Sequence, residues 1–99
     1  ARPRLVDRWP EFARQLGESL LAEGEAALAA QVGTLRVFAG CRCGDEFCQS
    51  FFTAPKPNGA YGPGHWNLEL DPPWAGMLVL DLVDEQIVHV EALERDPLD

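Results

Sequence analysis

The stretch AGCRCGDEFCQSF, residues 39–51, holds every cysteine of the chain: Cys41, Cys43 and Cys48. On a strand, residues two apart share a side, so Cys41 and Cys43 can face one point in space. Gly44 permits a tight turn after them, and Cys48 returns four residues later. Three thiolates brought together in this way suit a tetrahedral zinc ion, which needs a fourth ligand. His65 is the first candidate, because it opens the strand after a long loop; Asp45 and His89 come after it. A competing expectation is structural. Cys41 and Cys43 alternate in phase with Leu35 and Val37, and cysteine is among the most buried residue types. A thiol redox role is a third reading, but its C-x-x-C signature is missing. Arg42 favours a thiolate, whereas Asp45 and Glu46 oppose it.

A second group surrounds the Pro- and Gly-dense stretch APKPNGAYGPG, residues 54–64. Lys56, Tyr61, His65 and Trp66 form a candidate binding surface, since long loops often carry function. They define no reaction. His65 as a general base needs a positioned partner, and Glu69 lies too far along the same strand. His89 and Glu91 share a strand face and read as neighbouring polar positions. The chain has no Gly-rich phosphate loop, no nucleophile elbow and no H-E-x-x-H motif. No catalytic residue is assigned, and the expected cofactor is none, or zinc.

Two segments resemble known families. CRCGDEFC is similar to the C-x-C-G-x-x-x-C segment that follows the catalytic domain of SET-type lysine methyltransferases. The resemblance implies that Cys41, Cys43 and Cys48 are zinc ligands and Gly44 the turn residue. The methyltransferase domain and a fourth cysteine are absent, so it implies nothing about methyl transfer. GMLVLDLVDEQIVHVEALERD resembles the closing hairpin of small bacterial proteins of unknown function, in which an acidic turn precedes an I-x-x-[IV]-E-x-L strand. That resemblance implies an antiparallel α+β domain from a bacterium.

The elements that must position these residues follow from periodicity. Trp9, Phe12, Leu16 and Leu20 recur at helical spacing, with Pro10 and Glu11 suited to a first turn. Gly24 breaks the pattern; a second helix near 25–32 carries Leu28 and Val32, and Gly33 stops it. Alternation then predicts strands at 34–43, 47–54 and 65–70, the last with Trp66, Leu68 and Leu70 inward. MLVLDLVDEQIVHVEAL predicts two more strands joined by a turn at Asp84-Glu85. The expected domain is single, 1–99: helices over about 9–32, strands over about 34–94 and a polar tail at 95–99. The expected fold is α+β, with two N-terminal helices on one face of a mostly antiparallel sheet of about five strands.

Two helices cover one face only. Phe38, Met77 with Val79 or their opposite set, and Ile87 with Leu93 are left for the other, which predicts a sheet-on-sheet homodimer. The sequence does not fix which set faces outward.

Net charge is −8, with 16 acidic residues against 8 basic ones, and Lys56 is the single lysine. A phosphate backbone repels such a chain, so nucleic acid is excluded as an expected partner. No apolar run reaches the roughly 18 residues of a membrane span, and ARPRLVDRW contains no signal-type stretch. An odd cysteine count argues against a disulfide scaffold. The expected compartment is the cytoplasm. The expected function is a small acidic, non-enzymatic protein-interaction domain, of which an inhibitor or immunity-type protein masking a basic site is one form. The alternatives are a zinc-stabilised domain and a thiol redox protein.

Overall fold

The structure, a computed structural model, describes residues 2–40, 44 and 47–99. Among them are helices α1 (Leu5–Arg8), α2 (Pro10–Ala22) and α3 (Ala26–Gln31), followed by a 3₁₀ turn at Val32–Thr34. Among the described residues there are also five strands: β1 (Ala39–Gly40), β2 (Phe51–Phe52), β3 (His65–Leu70), β4 (Met77–Val83) and β5 (Gln86–Leu93). They form one antiparallel sheet in the order β1-β2-β5-β4-β3. The class is α+β.

Helix α2 starts at Pro10, whose missing N–H costs nothing at a helix start. Phe12, Leu16 and Leu20 are buried at four-residue spacing along one stripe. The helix ends in a Schellman motif. Gly24 takes φ +75°, its N–H donates to the Leu21 carbonyl at 3.0 Å, and the Glu25 N–H donates to the Leu20 carbonyl at 2.9 Å. That stop lets α3 turn back and bury Leu28.

The core lies between this helical layer and one sheet face. Leu78, Leu80 and Leu82 of β4 are fully buried there, beside Val90 and Ala92 of β5 and Phe51 of β2. Burial of each large side chain is worth about 1.5–3 kcal/mol, so β4 anchors the layer. The Phe51 ring meets Phe12 edge-on at 5.7 Å and Trp9 at 5.2 Å.

The structure corrects the expected elements at four places. The helical region begins at Leu5, because α1 buries Leu5 completely and hinges into α2 at Trp9. Of the strand expected over 34–43, residues 34–40 are described, and among them only Ala39–Gly40 is strand. Its alternation is real but serves another pairing: Leu5 N–H donates to the Leu35 carbonyl at 2.8 Å, and Val37 N–H to the Pro3 carbonyl at 2.9 Å. The strand expected over 47–54 narrows to Phe51–Phe52. Beside it, two buried hydroxyls take over ladder bonds. Ser50 Oγ accepts from the Ala92 N–H at 3.1 Å, and Thr53 Oγ1 donates to the Ile87 carbonyl at 2.8 Å. The polar tail is docked: Trp9 Nε1 donates to Asp99 Oδ1 at 2.8 Å, and Leu98 N–H donates to Gln49 Oε1 at 3.1 Å.

The β4–β5 hairpin sets the phase of the whole sheet. Its turn is Asp84-Glu85 with φ +50° and +68°, the left-handed pair of a two-residue hairpin turn. Pairing then runs Val83 with Gln86 and Leu82 with Ile87, but Asp81 with His89. Val88 is therefore an extra residue, a β-bulge. The bulge brings Ile87 to the core side, where it is 3% exposed. This corrects its expected place on the outer face. Met77, Val79, Asp81 and Val83 alternate with the buried leucines and take the face away from the helices.

Candidate functional site

The face of the sheet away from the helices has a polar centre. Cross-strand register aligns Asn67 of β3, Asp81 of β4, His89 of β5 and Phe52 of β2 in one row. His65 stands two residues from Asn67 on the same side of β3. The bulge at Val88 brings His89 opposite Asp81.

Asp81 is the hub. Its Oδ1 accepts from His65 Nε2 at 2.7 Å and from Asn67 Nδ2 at 2.7 Å, and its Oδ2 accepts from His89 Nδ1 at 2.8 Å. An ionised carboxylate only accepts, so the nitrogen of each imidazole that faces it carries the proton. Burial works to raise the Asp81 carboxyl. The hydrogen bonds from His65, His89 and Asn67 outweigh it and hold the group below the ordinary aspartate value. The Asp81 side chain is 14% exposed, as is that of His89; His65 is at 28%.

Aromatic rings pack on both imidazoles. Tyr61, from the 54–64 loop, lies 4.7 Å from the His65 ring, and Phe52 lies 4.3 Å from His89. Partial burial pushes the Tyr61 hydroxyl up, and the Asp81 charge adds to that shift. The loop thereby covers part of the face and leaves a cavity of about 200 Å³ between Tyr61, Phe52 and Lys56, with Asp81 and His89 as its polar floor.

The sequence-predicted binding residues divide between two faces. Lys56, Tyr61 and His65 come together around Asp81. Trp66 alternates to the helix side of β3, where the helical layer falls short and leaves it 39% exposed. Sequence reasoning does not single out Asp81, Asn67 or Phe52, and it takes His89 as a neighbouring polar position and a later candidate for a zinc ligand. The available signal was Asp81 itself: a charge inside the apolar run MLVLDLV has to find partners.

Of the expected zinc ligands Cys41, Cys43, Cys48 and His65, only Cys48 and His65 lie among the described residues, and these two stand apart. Cys41, Cys43 and Asp45 lie outside the described residues. Cys48 sits opposite Leu93, in the row of Met77; His65 sits opposite Val83, six residues further along β4. At the usual strand rise that is about 20 Å. His65 therefore does not complete a site with Cys48, and its ring is held by Asp81 instead. Cys48 is half-buried, its thiol 3.3 Å from Ser50 Oγ. Among the described residues no group of three or more His, Cys, Asp or Glu side chains is placed to hold a metal ion. No described helix is long and apolar enough to cross a membrane.

No family model, no curated protein and no solved structure matches this chain.

Proposed function

We propose that this chain is a small acidic, non-enzymatic protein-interaction domain, and that the sheet face opposite the helices receives a basic segment of its partner. The observation that carries this reading is the distribution of charge. Between Lys56 and Arg95 there is no lysine or arginine, while Glu69, Asp71, Asp81, Asp84, Glu85, Glu91 and Glu94 supply seven carboxylates. That stretch comprises β3, β4, β5 and their turns. Of these carboxylates, Glu69 and Glu91 alternate with the core residues of their strands, on the same face as Asp81. Clustered charge of one sign steers an oppositely charged partner and orients its docking. An inhibitor or immunity-type protein that covers a basic active site is one form such a domain takes.

The test separates location from total charge. Two double variants remove the same two charges, Glu69→Gln with Glu91→Gln on the sheet face and Glu23→Gln with Glu25→Gln by the helices. A lysine- and arginine-rich peptide is titrated into each at 50 and 200 mM salt. The sheet-face pair is expected to weaken binding at least fivefold at the lower salt, and the helix-side pair less than twofold. Equal losses from both pairs would make the attraction a bulk effect and defeat the reading.

A further inference from the structure

We propose that the cavity beneath the 54–64 loop is an anchor site for one arginine side chain of the basic partner. This rests on the reading above and adds a residue-level specificity to it. The volume of about 200 Å³ falls below the roughly 300–1,000 Å³ of sites for whole small ligands, and suits a single side chain.

Its chemistry selects which one. Phe52 and Tyr61 supply aromatic surface, and a planar, weakly hydrated guanidinium stacks on such rings while its edge still donates hydrogen bonds. Asp81 supplies the acceptor. A carboxylate has about four lone-pair positions. His65 and Asn67 use two on Oδ1 and His89 uses one on Oδ2, which leaves one position on Oδ2 for an incoming N–H. The three donors also fix the carboxylate in place before the ligand arrives.

Lys56 already tests the site from within. Its ammonium lies 5.8 Å from the Phe52 ring centroid, in a cation–π arrangement at the rim of the same cavity. The chain's single lysine thus occupies the wall that the arginine would use. An arriving guanidinium must displace it, so Lys56 is a competitor for the site.

The experiment compares two peptides of identical length and charge, one with six arginines alternating with glycine and one with six lysines in the same places. A third replaces one arginine by phenylalanine. Each is titrated calorimetrically into the full chain and into the Tyr61→Leu and Lys56→Met variants. The arginine peptide is expected to bind about five- to tenfold more tightly than the lysine peptide. Tyr61→Leu should bring that ratio close to one, and Lys56→Met should tighten arginine binding at least twofold. Equal affinity for the two cationic peptides, or a ratio that Tyr61→Leu leaves unchanged, would overturn the arginine site while leaving the basic-partner reading intact. Tightest binding by the phenylalanine peptide would assign the cavity to an apolar side chain and overturn it as well. Failure of every peptide to bind would overturn both readings together.

Discussion

At the scale of single residues, Asp81 determines the character of the face away from the helices. It lies in a strand whose neighbours Leu80 and Leu82 are fully buried, yet it points the other way and gathers two imidazoles and an amide. Asp81→Asn keeps the shape but replaces an acceptor with an amide donor on one side, against His89 or His65. The expected cost is about 1–2 kcal/mol, read from the denaturant midpoint at neutral pH. The pH dependence follows from the lowered carboxyl. A depressed folded-state pKa contributes stability that is complete above the ordinary aspartate value of 3.8 and is lost as pH falls through the lower folded value. The gap between the natural chain and Asp81→Asn should therefore narrow as pH falls below 3.8. A gap that stays constant down to acid unfolding would mean that the carboxylate charge contributes nothing.

At the scale of elements, legibility depended on whether a pattern was long and had one interpretation. The α2 stripe, the stop at Gly24, the six alternating residues of β3 and the acidic turn at Asp84-Glu85 were all readable, because each pattern admits a single local geometry. The stretch Leu35 to Phe38 was not. Its alternation fits any extended partner, and Pro3 and Leu5 supply one that sequence spacing does not reveal. The bulge at Val88 was equally hidden, since Ile87, Val88 and Val90 are interchangeable as apolar strand residues. Missing it misassigned Ile87 and concealed the pairing of His89 with Asp81. The His65–Asp81–His89 cluster is a product of register across three strands, and no local motif announces it. Helix α2 offers a direct check on this level. Gly17 is helical with open space where a Cβ would stand, so Gly17→Ala should stabilise the domain by about 0.5–1 kcal/mol. Gly24 has equal space but φ +75°, so Gly24→Ala should cost about 1–2 kcal/mol. Denaturant unfolding of both variants checks the pair, and matching signs would refute the Schellman assignment.

At the scale of the whole molecule, one face of the sheet is spent on the core and the other is partly roofed by a loop and acidic. The second face is not the continuous apolar surface that suggested a sheet-on-sheet homodimer. Ile87 has moved inward, and Glu69, Asp81 and Glu91 share the face with Met77, Val79 and Leu93. Two-fold packing of such faces brings like charges together, which disfavours association. Sedimentation at micromolar concentration should accordingly give a species near the chain mass of 10.9 kDa, and a dimer would show that the apolar residues at the rim outweigh the charges. Docking of a basic partner on this face, as proposed, is read from the amide spectrum of the isotope-labelled chain recorded while a basic peptide is added. Saturable shifts are expected at His65–Glu69, Val79–Asp81, His89–Glu91 and the 54–64 loop, with α2 and α3 unmoved. Shifts centred on the two helices, with the sheet face silent, would contradict it.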